Sequence, residues 1–283
     1  MQENYHILRV MNNNVLLTKD LENNTEAVLI GKGIGFGKKK DQNTFIDPKT
    51  IEKSFYTYDK KLKNDYLDLL NSYSDVLMGV CAEIISMAEA TLGQLSERIF
   101  IVLTDHISFA IERIQDGMEI DNPFVHEIEM LYPEEFKIGQ HAKKMLLDAT
   151  GISIPTGEIG FIALHLQAAK EHRDVKVTVK NTQLIKEIVV TIENALNYEI
   201  PVGTLTHTRL LTHIKGCIER IEKERYISNP LAETIKEEIN ESYNIALNIQ
   251  KRMEKSLKKE IPEDEMVYLA IHIDRIRRIK EYD

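Results

Sequence analysis

Most of this sequence repeats at one fixed interval, which is the separation between His106 and His213. At this repeat interval, the stretch His106–Ile114 falls on His213–Ile221, and the stretch Pro155–His165 falls on Pro262–His272. No net insertion is needed between the two matches, so chance periodicity is a poor explanation. The interval predicts a tandem duplication of one helical domain, with two helical bundles in series.

Each copy carries one histidine on each of two predicted helices: His106 and His165 in the first copy, His213 and His272 in the second. Apolar residues at helical spacing around His106 and His165 place both on otherwise apolar helix faces. A histidine on such a face is often a hydrogen-bonded core residue, and common descent would preserve it in both copies. Four histidines at equivalent positions also fit a functional role, so both interpretations stay open at this point.

The chemistry of imidazole limits what these pairs can do. Imidazole is a nucleophile near neutral pH, a metal ligand and a pH-sensitive charge. A metal site is the weaker choice, because the sequence has no His-Glu-x-x-His, no helical His-x-x-x-His and no cysteine cluster. It has no nucleophile elbow or catalytic triad signature either. Reversible phosphorylation remains, which would add about two negative charges at a helix-lined interface.

Roughly the first 55 residues have the pattern of short β-strands and turns, and they form a small unit that needs a partner or dimerisation for stability. The predicted strands are Tyr5–Met11, Val15–Thr18, Ala27–Ile30 and roughly Ile34–Lys38. Asparagine and glycine residues separate these strands, because both tolerate the positive φ of tight turns. From about Lys60 the pattern is helical, and Ser54–Lys63 is the predicted linker.

The acidic balance of the whole chain conceals a basic N-terminal segment. The 283 residues include 36 Lys and Arg against 45 Asp and Glu, a net charge of −9. That balance argues against a generic nucleic-acid binder. The segment 1–40 reverses it, with six basic side chains against four acidic ones.

The sequence also predicts the compartment. No run approaches the ~18 consecutive apolar residues of a membrane span, and the N-terminus lacks the basic and apolar stretches of a secretion signal. We therefore expect a cytoplasmic protein without membrane insertion. Cys81 and Cys217 stand alone in apolar helical patterns, and we expect both to be reduced core residues without a redox role.

The stretch Gly31–Lys40 (GKGIGFGKKK) suggests a phosphate-binding loop, but its spacing excludes one. A P-loop needs glycine five positions before Gly37-Lys38, where this chain has Lys32. A dinucleotide-binding fingerprint needs glycine where Phe36 stands, and no helical pattern follows. Neither class of nucleotide site is present.

The same stretch has the composition of an RNA-binding turn. Its glycines allow another backbone to approach closely, Phe36 offers a face for base stacking, and the surrounding lysines can hold phosphates. The alternative is a glycine-rich hairpin with a solvated basic tail and Phe36 in a small core. DNA binding is the weaker hypothesis, because this segment has no helix-turn-helix pattern.

The chain resembles the BglG/SacY-type transcriptional antiterminators, in which a small RNA-binding domain precedes two phosphotransferase-system regulation domains. The resemblance covers essentially the whole chain in the same order, and it is greatest to the glucose-specific members. The matching segments are Val10–Asn14 (VMNNN), Leu29–Lys39 (LIGKGIGFGKK), Leu103–Arg113 (LTDHISFAIER), Leu131–Glu135 (LYPEE), Pro155–Leu166 (PTGEIGFIALHL), His213–Arg220 and Tyr268–His272 (YLAIH).

The resemblance implies a four-stranded antiparallel β domain that acts as a dimer and binds a hairpin in a leader RNA. Holding that hairpin prevents an overlapping terminator from forming, so transcription continues into genes for a sugar transporter. By position, the residues implied to contact RNA are Arg9, Asn14, Gly31, Lys32, Gly33 and Phe36. Many relatives carry arginine at the position of Lys32, and lysine cannot make the bidentate contact of a guanidinium.

The resemblance also implies that His106, His165, His213 and His272 accept phosphate from the sugar phosphotransferase system. The implied donors are a glucose-type permease (enzyme II), which inactivates the protein through the first domain, and the phosphocarrier protein HPr for the second. Both helical domains are implied to dimerise. Asp105 beside His106 either orients the imidazole or faces solvent, since neighbouring helical residues point about 100° apart.

Together these observations predict a multidomain chain, with an antiparallel β RNA-binding domain at residues 1–58 and all-α regulation domains at 59–173 and 174–283. The predicted function is RNA-binding antitermination controlled by histidine phosphorylation, without catalytic residues, metal or cofactor. The alternative is a histidine-based metal- or ligand-binding helical dimer whose β segment serves only for dimerisation. A DNA-binding activator would need a helix-turn-helix, which we do not find in the sequence.

Overall fold

The computed structural model describes residues 3–56, 72–118 and 120–280. These residues divide into two compact units. The first comprises Met1–Pro123 and Tyr132–Val175, and the second comprises Phe124–Leu131 and Lys176–Asp283. An antiparallel β-sheet opens the first unit, and helices form the rest of both units. This confirms the predicted fold class of a small β domain followed by helical repeats.

The N-terminal sheet has five antiparallel strands in the order β4-β1-β2-β3-β5, where four were expected. The strands are β1 Tyr5–Asn12, β2 Val15–Asp20, β3 Glu26–Ile30, β4 Asn43–Thr44 and β5 Lys53–Tyr56. The first three predicted strands are confirmed as β1, β2 and β3. Ile7, Leu16 and Leu29, one from each of these strands, are buried together with Ile46 and form the core of the sheet.

The predicted strand Ile34–Lys38 is wrong, because this segment belongs to a series of tight turns. Alternate amides of the segment each donate to the carbonyl three residues earlier. Gly33 and Gly37 have φ of 71° and 70°, a left-handed conformation that interrupts a strand. The predicted linker Ser54–Lys63 is also wrong at its start, since its first three residues belong to β5. The rest of that linker lies outside the described residues.

Ten α-helices follow among the described residues. The first unit contains α1 Asp75–Leu92, α2 Ile99–Gln115, α4 Pro133–Thr150 and α5 Thr156–Lys170. The second unit contains α3 Val125–Leu131, α6 Val175–Leu196 apart from its first residue, α7 Leu205–Glu222, α8 Ala232–Glu238, α9 Asn240–Leu257 and α10 Glu263–Lys280.

Local signals in the sequence fix several helix ends. The Ser74 hydroxyl accepts a hydrogen bond from the Leu77 amide at 3.3 Å and so caps the start of α1. Pro133 occupies the first turn of α4, where its missing amide costs nothing. Gly151 follows α4 with a φ of 74°, the left-handed conformation that commonly ends a helix.

The helix bounds carry the predicted repeat. When the sequence is shifted by the repeat interval, the first and last residues of α3 coincide with those of α8. The first and last residues of α4 likewise coincide with those of α9. Equivalent apolar positions are buried alike, as Ile85 and Ile192 illustrate. The compact units do not follow the interval everywhere, because Phe124–Leu131 groups with the second unit.

Two further sequence predictions concern the helices. Cys81 in α1 and Cys217 in α7 are buried and unpaired, as their apolar surroundings predict. Burial raises the pKa of the Cys81 thiol to about 12, so the thiol is protonated at neutral pH. In the part of the chain that the structure describes, no helix is long and apolar enough to cross a membrane.

Candidate RNA interface and histidine pairs

The turns at Gly31–Gly37 meet the β1–β2 hairpin turn, and backbone hydrogen bonds join the two. The Gly31 amide donates to the Asn14 carbonyl at 2.9 Å, and the Gly35 amide donates to the Asn13 carbonyl at 2.9 Å. A Cβ at Gly35 would lie 2.3 Å from the carbonyl oxygen of Asn12 in that hairpin, so only glycine permits this close approach. The glycines therefore hold two turns against each other.

Asn14 fixes the geometry of these turns with both its backbone and its side chain. Its amide donates to Asn12 Oδ1 at 2.8 Å, and its own Oδ1 accepts from the Gly33 amide at 2.8 Å. Its Nδ2 donates to a carboxylate oxygen of Glu83 in α1 at 3.1 Å. The structure thus brings Asn14 and the glycine turn together.

Phe36 projects from the glycine turn into solvent, with 77% of the residue exposed. The alternative in which Phe36 fills a small core is therefore wrong. Lys32 in the same turn is exposed, as are Lys39 and Lys40 after it. An exposed aromatic ring flanked by cations is an arrangement that stacks on unpaired bases and attracts phosphates.

Arg9 lies apart from the turns, in the middle of β1. It pairs with Leu17 of β2, and its guanidinium is 3.5 Å from the Asp75 carboxylate at the start of α1. The structure therefore places Arg9 against α1, whereas the other five residues implied to contact RNA gather at the two turns.

The first histidine pair is a stack of two imidazoles between α2 and α5. The ring centroids of His106 and His165 are 4.6 Å apart, with planes tilted by 35°. Phe161 packs edge-on against His106 at 5.8 Å. Glu158 is 2% exposed, and its Oε2 lies 3.2 Å from His106 Nε2 while its Oε1 accepts from Arg113 at 2.7 Å. The stack therefore lies beside a buried carboxylate and a guanidinium.

The second pair repeats this stack between α7 and α10. The ring centroids of His213 and His272 are 4.1 Å apart, with planes tilted by 36°. The equivalent acid, Glu265, is fully buried and binds Arg220 through both oxygens, at 2.8 and 2.6 Å. Among the described residues, neither His106 Nε2 nor His213 Nε2 makes a hydrogen bond of good geometry, but only His106 lies within ion-pair distance of a carboxylate. The two copies thus share the stack and the ion pair but differ in what faces the first histidine.

One imidazole of each pair is held neutral. Burial, with a smaller effect of His106, lowers the pKa of His165 to about 3. Burial lowers the pKa of His213 to about 3 as well, with contributions from His272 and Arg220. A neutral imidazole keeps a lone pair, which is what attack on a phosphoryl group requires.

A cleft that contains arginines lies beside each stack. His165 lines a cleft of about 320 Å³ in the first unit, whereas His272 lines a gap of only about 10 Å³ in the second. The arginines are Arg98 and Arg173 at the first cleft, and Arg209 and Arg275 at the second. These arginines are not related by the repeat interval, and in the first cleft Asp174 also contributes to the lining while Arg173 pairs with Glu171 at 2.7 Å. Guanidinium groups suit a phosphoryl group, and the first cleft is large enough to admit one.

The sequence did not identify Glu158 as the carboxylate nearest His106. Asp105, which precedes His106, is exposed and accepts a hydrogen bond from the Tyr73 hydroxyl at 2.8 Å. Burial alone would raise the pKa of Glu158, but the contact and charge of His106 and the ion pair with Arg113 outweigh it and lower that pKa. The available signal was the repeat, because this glutamate and its arginine partner both recur at the repeat interval.

The geometry does not favour a metal site. Among the residues that the structure describes, no group of three or more His, Cys, Asp and Glu side chains could hold a metal ion. The charged neighbour shared by both stacks is a carboxylate bound to a guanidinium, and a guanidinium is not a metal ligand.

Comparison with known protein families gives two matching models. The CAT RNA binding domain matches residues 5–64, and the PRD domain matches residues 82–169 and 181–276. The first match contains the turns around Phe36, and the two PRD matches contain the two histidine pairs. The matched order is the same as in the sequence-based prediction.

The chain is also similar to curated proteins over nearly its whole length. The PtsGHI operon antiterminator of Bacillus subtilis (strain 168) is 37% identical over 279 residues, covering 98% of both chains. Transcription antiterminator LicT of the same organism is 34% identical over 274 residues, covering 95% of this chain and 98% of the relative. The GlcA/glcB genes antiterminator of Staphylococcus carnosus (strain TM300) is 33% identical over 283 residues, covering 98% of both.

Among solved structures, the crystal structure of GlcT CAT-PRDI is 40% identical to this chain. It covers 58% of this chain and 97% of its own, with a TM-score of 0.48.

Proposed function

Because this chain belongs to the BglG/SacY-type transcriptional antiterminators with two phosphotransferase-system regulation domains, we propose that its sheet binds a leader-RNA hairpin through the turns around Phe36. The chain is an RNA-binding antiterminator regulated by phosphotransferase-system phosphorylation, and it is not an enzyme. RNA and phosphotransferase proteins are its partners. The bound hairpin excludes an overlapping terminator, so transcription continues into genes for sugar uptake.

The exposure of the Phe36 side chain is the main observation that supports the proposed RNA site. A ring that is 77% exposed has little role in the core of the sheet, and it stands beside backbone amides that Asn14 holds in place. The ring stacks on an unpaired base, the glycine turn admits a base edge, and lysine holds a phosphate as a point charge. The proposed contact set is Arg9, Asn14, Gly31, Lys32, Gly33 and Phe36.

Binding of a synthetic leader-RNA hairpin to the full chain tests this site. Base–aromatic stacking contributes about 1–3 kcal/mol, so Phe36→Ala should weaken binding by roughly 5- to 150-fold. Asn14→Ala should also weaken it, because the turn loses its tether to the Gly33 amide. Phe45→Ala is the matched control, since Phe45 is a partly exposed aromatic of the same sheet domain. Equal binding by the Phe36 and Phe45 variants would contradict the site.

We assign phosphate acceptance to the four stacked histidines, His106, His165, His213 and His272. Two observations support this: a neutral imidazole in each pair, and arginines beside His165 and His272, at a cleft of about 320 Å³ in the case of His165. A phosphoryl group adds about two negative charges to a half-buried stack that already faces a buried carboxylate. Repulsion and the pull of the arginines then change the packing of the helices that carry the stack.

The proposed donors are a glucose-type enzyme II for the first pair and the phosphocarrier protein HPr for the second. Phosphorylation of the first pair inactivates the protein when sugar is scarce. The similarity to the relatives named GlcA/glcB genes antiterminator and PtsGHI operon antiterminator supports this choice of transport system.

Labelling from phosphoenolpyruvate through the purified relay tests the acceptors and the donors together. We expect label on the first pair only when the enzyme II is present, and on the second pair with the phosphocarrier protein alone. A chain with all four histidines replaced by alanine should take up no label. If that variant is labelled as strongly as wild type, the acceptor assignment is wrong.

We further propose that the chain acts as a homodimer in the cytoplasm, with domains at residues 1–58, 59–173 and 174–283. A sheet domain of this size buries little surface by itself, which favours pairing with a second copy. Analytical ultracentrifugation of the unphosphorylated chain should give a dimer. A monomer at concentrations that saturate the RNA would contradict the dimer.

A further inference from the structure

Helix α1 contacts the β1–β2 hairpin turn, where we propose that RNA binds, through one carboxylate. Asn12 Nδ2 and Asn14 Nδ2 both donate to the same oxygen of Glu83, Oε1, and both distances are 3.1 Å. Two amide donors from one turn therefore converge on a single acceptor atom. This contact lies within the first compact unit.

The shape of α1 is adapted to this contact at Gly79, one helical turn before Glu83. A Cβ at position 79 would lie 2.5 Å from Asn12 Nδ2, and the three atoms nearest to it all belong to the Asn12 side chain. A buried glycine inside a helix weakens the helix, so its presence needs a reason. Here the missing Cβ is the space into which Asn12 fits.

Charge complementarity extends the contact on both sides of Glu83. Near the start of α1, Asp75 lies 3.5 Å from the Arg9 guanidinium. Near its end, Glu89 forms an ion pair with Lys53 at 2.6 Å. The helix thus turns three carboxylates toward polar and cationic groups of the sheet. A nucleic acid would present acceptor atoms of the same kind, phosphate oxygens and base carbonyls.

We propose that Asn12 and Asn14 form one acceptor-binding site for RNA, that Glu83 fills this site when α1 is docked, and that docking of α1 and RNA binding at these amides exclude each other. The inference rests on the proposed RNA site and adds Asn12 to it. It also gives the first regulation domain a direct route to the RNA-binding surface, because any change that moves α1 exposes or covers the two amides.

Mutual exclusion has a defined effect on affinity. RNA binds only the undocked fraction, so the apparent dissociation constant is the intrinsic one divided by that fraction. Weakening the docked state without touching the two asparagines must therefore tighten RNA binding. A purely structural contact would leave the affinity unchanged.

Two substitutions on α1 weaken docking by different means. Glu83→Ala removes the shared acceptor, and Gly79→Ala pushes Asn12 away while improving the helix propensity of α1. Loss of a charge-assisted hydrogen bond from the docked state should tighten hairpin binding by about tenfold or more. Glu97→Ala is the charge-matched control, because Glu97 is exposed and lies outside α1.

A disulfide between α1 and the hairpin turn would have the opposite effect, because it would fix α1 in the docked state. An ideal Cβ at position 79 lies 3.5 Å from Asn12 Cβ, within the separation of about 3.5–4.5 Å that disulfides span. The double variant Asn12→Cys/Gly79→Cys should therefore oxidise with α1 docked, and the oxidised form should lose RNA binding relative to the same protein after reduction. Failure to form the bond, or equal binding by both forms, would overturn the proposal.

The outcomes separate this inference from the function on which it rests. If Phe36→Ala and Asn14→Ala weaken binding while the two α1 variants match wild type, the RNA site stands and mutual exclusion is wrong. Weaker binding by Glu83→Ala also overturns it, since Glu83 would then support the RNA complex. If no variant changes the affinity, the RNA site itself is misassigned.

Discussion

Acid should destabilise the first compact unit through His165, a single buried imidazole. Burial and the neighbouring His106 hold its pKa at about 3 in the folded protein, whereas an unfolded histidine titrates near about 6.5. Between these values the unfolded chain binds the proton and the folded chain does not. Stability from this group is therefore complete above about pH 6.5 and is lost as the pH falls toward 3.

The expected loss follows from the distance between the unfolded pKa and the chosen pH. From about 6.5 to pH 5 is about 1.5 pH units, and each unit corresponds to about 1.4 kcal/mol. Wild type should thus lose up to about 2 kcal/mol of unfolding free energy at pH 5 through His165. A His165→Gln variant has no group that titrates there, so this part of its pH dependence should disappear.

Urea denaturation followed by circular dichroism at about pH 7.5 and pH 5 measures the difference. Wild type should lose more stability than His165→Gln by up to about 2 kcal/mol, whatever the carboxylates add to both proteins. His141→Gln, which replaces an exposed histidine of the same unit, controls for loss of an imidazole as such. If His165→Gln loses as much stability as wild type, the neutral buried imidazole is the wrong explanation.

Three further predictions concern stability and RNA affinity. Glu265→Ala leaves Arg220 without its buried bidentate partner and should lower the free energy of unfolding by about 3 kcal/mol. An unchanged urea midpoint would contradict this prediction. Gly31→Ala places a Cβ 2.0 Å from a carbonyl oxygen and should disrupt the sheet domain, whereas Gly33→Ala meets open space and should cost about 1–2 kcal/mol for its positive φ. Equal thermal melting of these two variants would refute that distinction. RNA affinity should fall with rising salt, and Lys32→Ala should make the logarithmic slope shallower by about one, which a salt titration checks.

The helical part was predictable because its information is local and occurs twice. Apolar spacing fixes which face of each helix is buried, and the repeat interval shows that His106 and His165 recur together in the second copy. Two half-buried helix faces that each carry a histidine then meet in one bundle. The stacked pairs are the structural result of that arrangement.

The errors and omissions come from conformations and contacts that spacing does not encode. Ile34–Lys38 has strand-like composition, but the glycines on either side of Ile34–Phe36 adopt positive φ and the segment turns. The roles of Glu158 and Glu83 depend on partners that are far away in sequence, Arg113 for the first and the two hairpin asparagines for the second. Local patterns give no direct sign of such pairings.

Read-through in a purified transcription reaction tests the central claim most directly. The template carries the leader hairpin and the terminator, and the chain is added before or after incubation with the phosphotransferase relay. We predict that unphosphorylated wild type raises read-through, that Phe36→Ala does not, and that the relay abolishes the effect in wild type but not in His106→Ala/His165→Ala. Read-through that is indifferent to wild-type protein, or equal for wild type and Phe36→Ala, would contradict the account.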